Sequence, residues 1–234
     1  MNIFITGANR GIGLAIVKAL LERGHRVVAG IRPASRLEEM ERLRGRYPAD
    51  ALQTVEAEVG DEASIRAAAQ TMRANGVRFD AIVNNAAIAV GRKSSIEEAD
   101  LDDFERTFQT NAFGPVRVCK HFVPLLRAGD GPSFVINMSS ASGIIEKCGS
   151  KDYSYAMSKA ALNMFTGILR NQLADRNVTV YAVHPGWVRT DQGGMEAPLD
   201  PSEPAAQLCD LLEGKTRPEH GRFFIHSDGS PLPF

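Results

Sequence analysis

The chain has 234 residues with 27 lysines and arginines against 28 aspartates and glutamates, and a sequence pI near 6.5. That balance supplies no field of one sign to gather nucleic acid or anionic lipid, so small molecules and copies of the same chain are the expected partners. The length suits one α/β domain built on a single large sheet.

In chain order, NIFIT (2 to 6) reads as a buried strand, and IGLAIVKALLERG (12 to 24), with apolar residues at helical spacing and a closing glycine, as a helix. HRVVAGI (25 to 31) is a second strand and SRLEEMERLRGR (35 to 46) a polar amphipathic helix. ALQTVEAEV (51 to 59) reads as a strand and EASIRAAAQTMRANG (62 to 76) as a helix; FDAIVNNAA (79 to 87) is a strand with its exit loop. A helical stretch runs from Leu101 to Leu126, bent near NAFGP where Gly114 and Pro115 interrupt it. SFVINMSS (133 to 140), a helix through Tyr155 to Ala174, VTVYAVHPG (178 to 186) and a last strand in GRFFIH (221 to 226) complete the series. Such alternation predicts a single Rossmann-type, doubly wound α/β domain with helices on both faces of a parallel sheet. The stretch 187–218, rich in Pro and Gly and weakly periodic, reads as a small substrate flap of that domain.

The three cysteines, Cys119, Cys148 and Cys209, are widely spaced, with no CxxC pair and no histidine cluster beside them. They suggest a reducing compartment without a disulfide framework or a structural metal. The N-terminus enters an apolar run at once, and no stretch approaches the roughly 18 apolar residues of a membrane span, so a soluble cytoplasmic protein is expected.

TGANRGIG (6 to 13) sets Gly7, Gly11 and Gly13 between the first strand and its helix, in a GxxxGxG spacing. Backbone N–H groups there can approach a pyrophosphate with no Cβ in the way; the plainer reading is that the glycines only let helix and strand pack closely. An acidic residue usually ends the second strand when the adenosine ribose carries a free 2′-hydroxyl. Here that end reads VVAGIRP, with Ile31 and Arg32, and Arg10 lies in the glycine loop. Two arginines suit a 2′-phosphate, which favours NADP(H) over NAD(H).

YSYAMSK (153 to 159) places Tyr155 and Lys159 four residues apart, on one helix face, with Tyr153 pointing elsewhere. A neighbouring ammonium favours the phenolate and so is expected to lower the pKa of Tyr155. INMSSASG (136 to 143) brings Ser139, Ser140 and Ser142 to the same sheet edge, where a hydroxyl can bond a substrate carbonyl. Asn111, in QTNAFG, stands where a polar side chain can satisfy freed backbone groups and hold a water leading to Lys159.

Together TGANRGIG, NNAA (84 to 87), Asn111, MSS followed by SG, Tyr155 with Lys159, and HPGWVRTD (184 to 191) resemble the short-chain dehydrogenase/reductase family over essentially the whole chain. The terminal GRFFIHSDGSPLPF and MSKAALN are most similar to its C-factor/sniffer-like carbonyl reductase branch. The resemblance implies a mostly parallel seven-stranded sheet in the order 3-2-1-4-5-6-7 and an NADP(H)-dependent carbonyl reductase. It gives Tyr155 the role of general acid, Lys159 that of lowering its pKa and bonding the nicotinamide ribose, Ser140 that of polarising the carbonyl, and Asn111 that of completing a proton relay. It further implies a cofactor held by Gly7, Asn9, Arg10, Gly11, Ile12, Gly13, Arg32, Glu58, Val59, Asn84, Ala86, Tyr155, Lys159, Pro185, Gly186, Val188 and Thr190, and a homodimer or homotetramer paired through the helices at 101–126 and 153–174.

Four departures from the family pattern stand out. Ala87 replaces a usual glycine, and Glu58 replaces a usual aspartate at the adenine. Spacing to the tyrosine favours Ser142, whereas motif order favours Ser140, and the extra residues IIEKCGSKD are expected to form a loop beside the substrate. The short region after Thr190 implies an open pocket, with Ile144, Ile145, Trp187 and Met195 as apolar candidates around it. Cys148, His121 and His184 are read as bystanders. The alternative is a dinucleotide-binding sensor or signalling protein on the same fold with little turnover.

Overall fold

The structure, a computed structural model, describes residues 1–33, 37–92, 94–127 and 131–234. Its strands are β1 (Asn2–Thr6), β2 (Arg26–Ile31), β3 (Leu52–Glu56), β4 (Ala81–Asn84), β5 (Ser133–Met138), β6 (Val178–His184) and β7 (Phe224–His226). Between them run α1 (Gly11–Glu22), α2 (Glu38–Arg46), α3 (Glu62–Ala74), α4 (Leu101–Asn111), α5 (Phe113–Phe122), α6 (Tyr153–Gln172) and α7 (Ser202–Leu212). The start of the helix expected at 35–46 falls partly outside the described residues, at Ser35 and Arg36.

All seven strands pair in parallel, in the order β3-β2-β1-β4-β5-β6-β7. The alternation of side chains along each strand divides the core in two. Ile3, Ile5, Val83 and Ile136 face a layer formed by α1, α2 and α7, through Ile16, Leu20, Met40 and Leu208. Phe4, Ile82 and Val135 face α3, α5 and α6, through Ile65, Met72, Phe122 and Leu169. In this second layer Phe4 stacks on Phe122 with ring centroids 3.9 Å apart. Strands buried on both faces explain why the sequence shows near-continuous apolar runs.

The long helical stretch breaks at Ala112, between α4 and α5. Pro115 has no N–H to give to the Asn111 carbonyl four residues earlier, so the helical ladder cannot pass through this step. The start of α3 is fixed differently: the Asp61 carboxylate accepts the Ala63 N–H at 2.9 Å. Replacing Asp61 by Ala removes that cap and is expected to cost about 1 kcal/mol, read as a drop of roughly 2–4 °C in the thermal midpoint.

The region 187–218 is less uniform than its composition suggests. Ala205, Leu208, Cys209, Leu211 and Leu212 of α7 are buried in the α1 layer. Arg23, just past α1, pairs with Asp210 at 2.6 Å and Glu213 at 2.8 Å. Those residues are core, so α7 is no part of a flap, and the stretches 187–200 and 213–218 flank it. Expected strands also shorten: β3 ends at Glu56, and 57–60 form a loop at the sheet edge.

Candidate active site

The chain order reverses between β1 and β4, whose loops leave the sheet in opposite directions and open a crevice beyond the strand ends. A cavity of about 550 Å³ lies there. Gly7, Asn9, Arg10, Gly11, Ile12, Gly13, Arg32, Glu58, Val59, Ala86, Ser140, Tyr155, Lys159, Pro185, Gly186, Val188 and Thr190 all line it, as does Ser142. Two expected residues, Asn84 and Asn111, do not.

The glycine loop serves both readings of its sequence. Gly7 has φ +63°, and a Cβ there would sit 2.9 Å from the Ala86 Cα. A Cβ on Gly13 would fall 2.2 Å from the Gly7 carbonyl oxygen, so this glycine allows close packing of helix on strand. The N-cap of α1, Arg10, gives no side-chain cap, and the first turn carries no acid. Its free N–H groups and the positive end of the helix dipole thus meet the cavity, which suits a pyrophosphate. With Arg10 and Arg32 on the same wall, the residues present fit a phosphorylated dinucleotide.

Asn84 stands apart from the cavity. Its Nδ2 donates to Asn137 Oδ1 at 2.8 Å and to Cys119 Sγ at 3.5 Å, inside the core and away from the cavity. As the last residue of β4 it belongs to the inward side of the pleat. The next residue is the one on the cavity wall. The Asn85 N–H donates to the Thr6 hydroxyl oxygen at 3.1 Å, and its Nδ2 donates to the carbonyls of Thr6 and Gly7 at 3.0 and 3.1 Å. It ties the β4 loop to the glycine loop. Ala87 is absent from the positive-φ residues of the described chain, so its turn needs no glycine.

On α6 the face carrying Tyr155 and Lys159 closes the other end of the cavity. Two small residues, Ser154 and Ser158, face Thr107 and Asn111 of α4 and draw the helices together, with Thr107 Oγ1 at 3.5 Å from Ser154 Oγ and Asn111 Nδ2 at 3.1 Å from Ser158 Oγ. Tyr155 and Lys159 are 9% and 2% exposed. The amine donates to the Met138 carbonyl at 2.7 Å and lies 5.6 Å from the centre of the tyrosine ring. Burial lowers its pKa to about 8.

The phenol behaves otherwise than the spacing alone suggested. Burial raises its pKa, and the influences that draw it back are the Ser140 hydroxyl, the Arg92 guanidinium and the Gln192 side chain, with Lys159 not among them. Desolvation of the phenolate outweighs the neighbouring charges. Of the two candidate serines, Ser140 is the one that acts on the phenol; its Oγ also accepts the Ser142 N–H at 3.1 Å.

Asn111 stands behind the wall. Its Nδ2 donates to the Ile88 carbonyl at 2.8 Å and its Oδ1 accepts the Ile88 N–H at 2.9 Å. The side chain therefore fixes the loop after β4, whose Ile88 lines the cavity. Its main-chain carbonyl is deprived of a helical donor by Pro115.

His184, the last residue of β6, also lines the cavity; burial, aided by His226 and Lys159, lowers its pKa to about 4, so it is neutral near pH 7. Among the described residues no helix is long and apolar enough to cross a membrane, and no cluster of His, Cys, Asp and Glu could hold a metal ion.

The sequence profile of the short chain dehydrogenase family matches residues 1–198. The chain belongs to this family. It is 30% identical to a protein named short-chain dehydrogenase srdF from Neurospora crassa, over 99% of this chain and 97% of that one. Among solved structures, the carbonyl reductase Sniffer of D. melanogaster superposes with a TM-score of 0.90 at 28% identity, covering 100% of this chain and 99% of the other. An NADPH-bound carbonyl reductase from chicken fatty liver gives 0.86 at 30% identity, covering 100% and 98%.

In this short-chain dehydrogenase the cavity rim is held by long-range pairs. Arg10 Nη1 lies 3.2 Å from Asp191 Oδ2, joining the glycine loop to the stretch after β6. Arg32 Nε is 4.0 Å from Glu58 Oε2. Both arginines are more than half exposed, so these pairs yield readily to an anion. Of the apolar candidates, Ile144 is buried against Ala182, Phe224 and Leu232 and belongs to packing. Trp187 lines the cavity, half exposed, with its Nε1 donating to the Gly193 carbonyl at 2.7 Å. Arg92 and Gln192 also line it and had no motif to announce them; so does Asp191, the last residue of HPGWVRTD.

Proposed function

We propose that this short-chain dehydrogenase is an NADP(H)-dependent oxidoreductase that interconverts a carbonyl and an alcohol, with Tyr155 as the proton donor in reduction. The observation that carries the reading is the shared cavity. At one end are Arg10, Arg32 and an uncapped helix start; at the other, within the same walls, are Ser140, Tyr155 and Lys159. NADPH, if bound along it, would supply the hydride.

The chain supplies the rest. The N-terminal N–H groups of α1 hold the pyrophosphate, and Arg10 and Arg32 hold the 2′-phosphate. Ser140 donates to the substrate oxygen and sets it beside the Tyr155 hydroxyl. Tyr155 passes its proton to that oxygen as negative charge develops there. Lys159, fixed by the Met138 carbonyl, stands next in line to refill the phenol. The Asn111 carbonyl, freed by Pro115, accepts from a water that links Lys159 to solvent. The exposed Met157, Met164 and Ile168 on α6 support pairing of two copies along this helix.

The reading is tested by following NADPH oxidation over a panel of aldehydes, ketones and quinones. Turnover supports it; tight NADPH binding with no turnover on any of them favours a sensor instead. Replacing Arg32 by Ala is expected to raise KM for NADPH about tenfold, the size of one charge-assisted contact, while KM for NADH stays close to its starting value. Equal effects on both coenzymes would remove the 2′-phosphate assignment.

A further inference from the structure

Arg92 lies in the loop that leaves β4, and in the fold it meets two segments far along the chain. Its Nε and Nη2 donate to Asp152 Oδ2 at 3.3 and 3.0 Å. Its Nη1 donates to the Gln192 carbonyl at 3.3 Å, and its own carbonyl accepts the Asp152 N–H at 3.2 Å. The guanidinium carbon sits 5.8 Å from the centre of the Tyr155 ring, within the range of a cation–π contact. Asp152, the residue before α6, has φ +63°, a left-handed backbone that few residues other than glycine adopt. The two-way pairing with Arg92 holds it there, and it sets where the helix carrying Tyr155 begins.

We propose that Arg92 is a positioning residue of the reaction: it clasps the β4 loop, the turn into α6 and the Gln192 segment together at the substrate end of the cavity, and it holds a permanent cation beside Tyr155. The proposal rests on the role given to Tyr155 above.

The charged groups around the phenol are few. Lys159 lies on the same helix, Arg92 on the β4 loop and Asp152 on the turn into α6, while Ser140 and Gln192 are uncharged and His184 on β6 is neutral. Arg92 favours the phenolate and Asp152 opposes it. Lys159 loses its charge as pH rises through about 8. A guanidinium holds its proton where an ammonium gives it up, so the cation on the β4 loop is the one that faces the phenol once Lys159 is neutral.

The test is an alkaline ultraviolet titration of the cofactor-free protein. Each form is referenced to the same form carrying Tyr155→Phe, so that the difference isolates Tyr155 among the four tyrosines. Arg92→Gln is expected to move the midpoint to higher pH, and Arg92→Lys, which restores a cation, to bring it back toward the wild-type position. An unmoved midpoint in Arg92→Gln overturns the inference. So does Arg92→Lys displaced as far as Arg92→Gln, since packing and not charge would then be the cause. The titration needs neither turnover nor coenzyme, so its outcome is separate from that of the activity panel. Retained turnover in Tyr155→Phe would remove the reading beneath it whatever Arg92 does.

Discussion

Tyr155→Phe is expected to lower turnover by roughly 10²–10⁴-fold, the usual contribution of a positioned general acid, while NADPH affinity measured by fluorescence stays nearly unchanged. The substitution keeps the ring, which is 9% exposed between α6 and the serine turn, and removes only the hydroxyl. No packing is lost, and the anion end of the cavity lies at the glycine loop, away from the change. Because burial raises the phenol's pKa, Tyr155 carries its proton throughout the neutral range and is ready to donate it. The group that titrates nearer to neutrality is Lys159, at about 8. Carbonyl reduction by the wild type should therefore be flat toward neutral pH and fall as pH rises past about 8, where the amine that refills the phenol loses its own proton. A rate that instead climbs through this range, or a tyrosine variant that still turns over, would remove Tyr155 from the chemistry.

The parts of this site that the sequence displays are those fixed by local chemistry. A glycine that must have φ +63° and another that must leave room for a carbonyl oxygen are visible as glycines. Tyr155 and Lys159 share a face because four residues make about one helical turn. The strand order follows from the family resemblance, and the observed sheet agrees with it. What could not be read depends on the third dimension. Asn84 and Asn85 are neighbours in a motif, yet a pleat sends one into the core and the other to the cavity, and the identity of the residues alone does not tell which. Arg92 and Asp152 are 60 positions apart, and no periodicity joins them. The direction of the tyrosine's pKa required knowing how deeply the ring is buried, because the lysine that spacing placed beside it is itself desolvated and engaged with Met138. The stretch 187–218 read as weakly periodic because Pro and Gly at its ends mask α7, eleven residues whose apolar side packs on the α1 layer.

Lys159→Met should abolish useful turnover and weaken NADPH binding as well, in contrast to Tyr155→Phe, yet leave the cofactor-free protein more stable at neutral pH. The amine is 2% exposed, and burial lowers its pKa from 10.5 to about 8. Below about pH 8 the amine is protonated in both the folded and the unfolded chain, so the whole desolvation cost, about 3 kcal/mol for a lowering of this size, stands against folding. Between about 8 and 10.5 the folded amine has lost its proton while the unfolded one keeps it; the unfolded chain binds more protons, and stability rises with pH. Methionine has a similar length and no charge to desolvate. Its own cost is the Met138 carbonyl left without a donor, about 1–3 kcal/mol, which does not vary with pH. The net gain near pH 7 is thus about 1 kcal/mol. More telling, the stability of the variant relative to wild type should fall by about 2 kcal/mol from near pH 7 to near pH 9.5, turning a gain into a loss, because only the ionisation cost fades. Urea unfolding at the two pH values measures that change directly, with the carbonyl penalty cancelling between them. A difference that is the same at both would mean that the amine titrates as it does in the unfolded chain. The chain would then not be holding a charge in its interior against its own stability, which is the arrangement expected where a buried lysine is kept for its proton.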